Sequence, residues 1–194
     1  MITIDQIKKL RAETGISVSE CKKALEKANG DIEKAKEILR KLGANVAEKK
    51  SAREVHQGII ESYIHPNKRV GVLLEIRCET DFVARSSDFK NLAHELCLQI
   101  AAMKPLFIKE SDIPQDVIDK EKEIYLEQLK DSGKPKEIIE KIIQGKLEKY
   151  KEEKVLFLQP WIKDESKKVK DLVNEYIAKL GENITISKFA RYEI

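Results

Sequence analysis

The sequence predicts an α+β fold: a small three-helix module, then a three-stranded antiparallel sheet packed with helices. Three observations carry this. The first 42 residues repeat apolar positions at helical spacing between clean start and stop signals. Two β-rich runs between residues 58 and 78 flank a short loop containing Pro66 and Asn67. A last β-rich run, 184–194, closes the chain, and the apolar stripes before it have helical period.

Thr3-x-x-Gln6 is a capping box that opens the first helix, with Ile4, Ile7 and Leu10 on one face. Ser17-x-x-Glu20 opens the second, whose stripe is Val18, Cys21, Leu25 and Ala28; Asn29-Gly30 stops it. Asp31 caps the third, with Ile32, Ala35, Leu39 and Leu42 at the same spacing. Residues 43–51 are polar and without periodicity, which reads as a linker. The expected organisation is therefore a module over 1–42, a linker over 43–54 and an α+β core over 55–194.

In the core, Val70, Val72, Leu74, Ile76 and Cys78 alternate on one face of a strand that forms a hairpin with 58–64. A long helix follows, with Phe89, Leu92, Leu96, Ile100 and Met103 on its stripe, and Pro105 ends it. Asp112-Ile113-Pro114 starts the next helix, which Gly133-Lys134-Pro135 breaks. Another runs through Ile139, Ile143 and Leu147 to about residue 158, before a loop holding Pro160-Trp161. Val169, Leu172, Val173, Tyr176, Ile177 and Leu180 form a last helical stripe, which Gly181 stops.

Composition narrows the function. With 37 Lys plus Arg against 34 Asp plus Glu, the net charge of +3 is too weak for an extended nucleic-acid footprint. No run approaches the roughly 18 apolar residues of a membrane span, and the start lacks a secretory pattern. Cys21, Cys78 and Cys97 are far apart and odd in number, which argues against a disulfide framework and for a reducing, cytoplasmic setting. His56, His65 and His94 show no nucleophile or metal spacing, and Gly145-Lys146 lacks the rest of a phosphate loop. No catalytic residue and no cofactor is expected. A buried structural role is the simplest reading of Cys21 and Cys78.

One segment stands out: Glu79-Thr80-Asp81-Phe82-Val83-Ala84-Arg85, with Asp88-Phe89 after it, at a strand-to-helix junction. Such junctions favour small polar residues. By periodicity alone, Phe82 reads as a hydrophobic staple tucked into the local core. The run also resembles the signature of the bacterial elongation factor Ts family. Glu20-Cys21-Lys22-Lys23-Ala24-Leu25 with Asn29-Gly30-Asp31 is similar to that family's ubiquitin-associated-like N-terminal module. Tyr63-Ile64-His65 and Arg69-Val70-Gly71-Val72-Leu73 resemble its core hairpin, and Leu158-Gln159-Pro160-Trp161-Ile162-Lys163-Asp164 its C-terminal half. The likeness spans nearly the whole chain in order. Two departures accompany it. Val18-Ser19 stands where the family usually has two bulky apolar residues, and the chain is too short for the duplicated core and protruding coiled coil of longer relatives.

The resemblance implies a non-catalytic guanine nucleotide exchange factor for GDP-bound elongation factor Tu, acting as a homodimer. It implies that Thr80, Asp81, Phe82 and Val83 displace the partner's Mg²⁺ and nucleotide contacts. Arg11, Val18 and Cys21 are the candidate N-terminal contacts. Two other readings stay open: an adaptor that binds ubiquitin or another protein through the helical module, and a small hydrolase using Cys78 or Cys97.

Overall fold

The computed structural model describes residues 2–130 and 132–194; Met1 and Asp131 lie outside the described residues. The chain divides into two compact units, Met1–Leu98 with Asp171–Ile194, and Gln99–Lys170.

The first unit begins with α1 (Ile4–Thr14), α2 (Val18–Lys27) and α3 (Ile32–Lys50). Their starts follow the capping logic of the sequence. Thr3 and Gln6 form the reciprocal capping box, Ser17 Oγ accepts from Glu20 N at 3.3 Å, and Asp31 accepts from Lys34 N at 3.1 Å. Each satisfies a helix N–H that has no partner inside its own helix. Glu20 does not complete a second box; its carboxylate pairs with Lys23 at 3.0 Å. Leu10, Ile16, Cys21, Ala24, Leu25, Ala28, Ala35 and Leu39 form the core of this three-helix group. Ile4 and Val18, counted on its apolar stripes, are instead exposed.

The third helix corrects the linker over 43–51, because it continues to Lys50. Gly43 and Ala47, one turn apart, are buried on its second half. A Cβ at Gly43 would stand 3.4 Å from the Asn174 carbonyl oxygen, so small residues let α3 lie close against α8 (Val169–Leu180). Two small residues produce no hydrophobic stripe, which is why the sequence concealed this packing.

The sheet has the order β1-β2-β5, with β1 (Gln57–Ile64), β2 (Val70–Cys78) and β5 (Ile184–Glu193), antiparallel throughout. Gln57 pairs with Cys78 and Ile64 with Gly71. A bulge at Glu75/Ile76 interrupts the β2–β5 register. Val72, Leu74, Ile76 and Cys78 point inward, as the alternation predicts, and are fully or nearly fully buried. α5 (Ser87–Met103) meets the same face, where the His94 and Tyr63 rings make an edge contact at 6.0 Å. Phe89, Leu92, Ala93, Leu96 and Cys97 are all at 0% exposure. Lys179 of α8 reaches Asp88 of α5 at 2.7 Å.

In the second unit, α6 (Gln115–Leu129) and α7 (Lys136–Lys154) pair antiparallel. Lys146 sits over the Tyr125 ring at 5.0 Å and bonds Gln128 at 2.7 Å. The segment that leaves no room for a long coiled coil thus forms a short helical pair. The expected loop at Pro160-Trp161 is a two-stranded ribbon, β3 (Pro160–Trp161) with β4 (Asp164–Lys168). Two buried glutamines tie this unit together. Gln159 donates to the Met103 and Glu153 carbonyls at 3.2 and 2.7 Å and accepts from Gln99 at 3.2 Å. Gln99 accepts from Ile162 N at 2.9 Å. Full pairing makes their burial affordable.

Candidate functional site

Glu79 to Arg85 leads from the end of β2 into α4 (Asp81–Arg85), a single turn of helix. A helix of five residues does not hold itself, since nucleation costs more than one turn of hydrogen bonds returns. Its position must come from neighbours, and the structure supplies them across the sheet. Glu182, in the turn between α8 and β5, turns its carboxylate onto the start of the segment. Oε2 accepts from Glu79 N at 3.1 Å and Thr80 N at 3.0 Å, and Oε1 accepts from the Thr80 hydroxyl at 2.5 Å. Glu79 reciprocates: its Oε1 accepts from Asn183 N at 2.6 Å. Each carboxylate thereby holds the other segment's backbone.

Basic residues at the end of α3 and just beyond it balance the two charges. Arg53 lies 3.4 Å from the Glu79 carboxylate, and its carbonyl accepts from the buried Asn183 amide at 2.8 Å. Lys50 Nζ donates to the Gly181 carbonyl at 2.5 Å. The Asn183 N–H bonded to Glu79, helped by Arg53, holds that carboxyl below its ordinary value. Burial, and then the nearby Glu182 charge, push the Cys78 thiol up to about 11. It therefore stays protonated and donates to the Thr80 carbonyl at 3.2 Å.

On this base, Thr80 is the extended N-cap of α4, its hydroxyl accepting from Val83 N at 3.4 Å. Asp81 and Arg85 pair at 3.1 Å on an exposed side, a contact of small energetic weight. Ala84 is buried and anchors the turn. Phe82 points the other way and is 83% exposed. That overturns the staple reading: the ring is in water, and Ala84 and Phe89 make the local apolar contacts instead. Leaving a phenylalanine outside forgoes about 1.5–3 kcal/mol of burial.

The sequence-predicted residues fall into two groups. Thr80, Asp81, Phe82 and Val83 share one turn. Arg11, Val18 and Cys21 belong to the helical module, where Arg11 is exposed and Val18 is 48% exposed. Cys21 is fully buried, with its thiol facing the Ile16 carbonyl at 3.6 Å. It is a packing residue of α2 and presents no surface. Glu182, Asn183 and Arg53 carry no sequence signal of this role: Gly181 reads as the stop of the last helix, and the two residues after it as its turn.

The fold brings His94 Nδ1 within 3.9 Å of Glu61, which the spacing did not predict. Burial pushes the neighbouring Cys97 thiol up to about 12, so it is no thiolate nucleophile near neutral pH. Among the described residues, no group of three or more His, Cys, Asp or Glu could hold a metal ion. No helix among them is long and apolar enough to cross a membrane.

Phe82 thus stands outward on a helical turn whose start is held by Glu182, an exposed aromatic of the kind that anchors protein–protein contacts. The chain belongs to the elongation factor Ts family, whose description, Elongation factor TS, matches residues 3–194. It is 60% identical over 193 residues to elongation factor Ts of Thermotoga maritima, covering 100% of this chain and 96% of that protein. Elongation factor Ts of Thermosipho melanesiensis is 55% identical over 194 residues, covering 100% and 99%. That of Coprothermobacter proteolyticus is 51% identical over 193 residues, covering 100% and 98%. The family's function, guanine nucleotide exchange on elongation factor Tu during translation, is the function of this chain.

Proposed function

We propose that the chain promotes exchange by pressing Phe82 into GDP-bound elongation factor Tu, with Thr80, Asp81 and Val83 fixing the turn that carries it. The observation that supports this is the exposure of Phe82 on a clamped helix. A bound nucleotide and Mg²⁺ leave slowly because many contacts must break together. A ring wedged between partner side chains stabilises the state in which they are already broken, and Asp81 brings negative charge and hydrogen-bond acceptors near the displaced metal. No acid, base or nucleophile of this chain takes part; differential binding suffices. The setting is the cytoplasm, where translation runs.

In the same reading 55–194 is the core, 43–50 is the second half of α3 and not a free connector, and residues 1–42 are a gripping module. Its self-contained apolar cluster supports this, and exposed Arg11 and Val18 are its contact candidates. The chain acts as a homodimer. Supporting that, the outward face of the sheet carries exposed Ile60, Ile64, Leu73 and Tyr192, beside a groove of about 350 Å³ lined by Ile64, Leu73, Tyr192 and Ile194. Soluble monomers seldom leave such a patch bare.

Release of a fluorescent GDP analogue from elongation factor Tu at fixed Mg²⁺ tests the mechanism. Acceleration that saturates with chain concentration and collapses in Phe82→Ala is expected; acceleration indifferent to Phe82 would remove the wedge. Sedimentation velocity reads the assembly, with a stable monomer at micromolar concentration counting against the homodimer.

A further inference from the structure

The carboxylate of Glu182 has no part in strand pairing or in the apolar core, yet it accepts three hydrogen bonds from residues about a hundred positions earlier. We propose that Glu182 is a positioning residue for nucleotide exchange, holding the Phe82 turn in its working orientation through Thr80. This rests on the wedge reading of Phe82.

The link runs atom by atom. The Thr80 hydroxyl has one proton, and the short bond to Glu182 Oε1 commits it there. Its lone pairs are then left for Val83 N, the cap contact that orients the first turn of α4. Glu182 Oε2 meanwhile fixes the two peptide N–H groups just before the turn. One side chain therefore sets both the backbone entering α4 and the rotamer that caps it. Phe82 is two residues further on, so any swing of the turn moves its ring.

Orientation, not folding, is what Glu182 supplies. Thr80 is exposed, so water can replace a lost carboxylate at its N–H and hydroxyl. The reverse bond from Asn183 N to Glu79 and the β2–β5 ladder stay in place without it. Lys50 and Arg53 let two carboxylates sit together here. The end of α3 thereby takes part in the same latch.

The test uses the full chain with elongation factor Tu and a fluorescent GDP analogue, at saturating chain. Glu182→Ala should slow GDP release about tenfold, less than the roughly hundredfold that a misplacement of a working group by about 1 Å can cost, with a melting curve within a few degrees of the parent. Glu182→Gln keeps an oxygen for the two N–H groups and an amide that donates to Thr80, and should retain most of the rate. Thr80→Val, which removes the hydroxyl link and leaves the two N–H bonds to Oε2, should also slow release, and the double variant should lose less than the two losses combined, because both variants break that link. A parent-like rate in Glu182→Ala, a Glu182→Gln as slow as Glu182→Ala, or additive losses in the double variant would overturn the proposal. Phe82→Ala run alongside separates the two readings. If it is slow while Glu182→Ala is not, only this inference fails; if it is as fast as the parent, the wedge fails and this inference with it. Should Glu182→Ala not fold, Thr80→Val tests the same link without touching the start of β5.

Discussion

Replacing Phe82 with alanine separates the two roles a phenylalanine has in a small protein. In the free chain the ring is 83% exposed, so its removal should change folding stability by no more than about 0.5 kcal/mol. Alanine is also the better helix former. Phe89, seven residues on and at 0% exposure, is the internal control: its truncation should cost about 3–5 kcal/mol. In complex with elongation factor Tu the order reverses. An aromatic anchor buried in an interface is worth about 2–4 kcal/mol, which at 1.4 kcal/mol per decade is roughly 30- to 700-fold in the exchange step. Stopped-flow release of a fluorescent GDP analogue at subsaturating chain measures the loss, and thermal melts by circular dichroism measure the stability. A Phe82→Ala protein that melts many degrees early would show the ring to be a staple after all. One that exchanges at the parent rate would show that the exposed ring is idle.

Three further outcomes are expected. A Cβ at Gly58 would stand 2.2 Å from the Ile76 carbonyl oxygen, against backbone that cannot move aside, whereas one at Gly145 meets nothing within 4 Å. Gly58→Ala should therefore lose stability at the upper end of the about 1–3 kcal/mol typical of overpacking. Gly145→Ala, inside α7, should gain about 0.5–1 kcal/mol; both are read by denaturant melts. Cys21, Cys78 and Cys97 are buried, and burial pushes Cys78 and Cys97 up to about 11 and about 12. A disulfide-exchange reagent near neutral pH should label none of them until the chain unfolds, and rapid labelling of Cys97 in the native state would revive the hydrolase reading. Finally, Glu79 is held below its ordinary value by Asn183 N–H and Arg53. A carboxylate depressed by folding contributes stability above its unfolded value, about 4.3, and loses it as pH falls through the folded one. Stability of the parent should thus drop more steeply than that of Glu79→Gln below about pH 4.3, and the two should run parallel at neutral pH.

Much of this architecture was legible because it rests on local periodicity. The alternation from Val70 to Cys78 gave the inward face of β2, and Thr3, Ser17 and Asp31 marked three helix starts that the structure uses. What escaped was carried by residues without a hydrophobic signal. Gly43 and Ala47 extend α3 through a stretch that reads as linker, because close helix contact is made there by the absence of side chain. Asp164–Lys168 is four charged residues and a serine with no apolar alternation, so the ribbon with Pro160–Trp161 was hidden. At the site, Phe82 was visible as an oddity, but whether it faced the core or water was a tertiary fact. The latch was less legible still. Glu182 and Thr80 are separated by 102 positions, and only the return of β5 beside β2 brings them together.

Central to the account is that exchange comes from preferring the nucleotide-free partner. Titration calorimetry of the chain against elongation factor Tu, with and without saturating Mg²⁺·GDP, measures that preference directly. The account predicts much tighter binding to the nucleotide-free form, by the same factor by which the chain weakens GDP binding, and a smaller factor for Phe82→Ala. Equal affinity for the two forms would contradict it, since a ligand that binds both states alike shifts nothing.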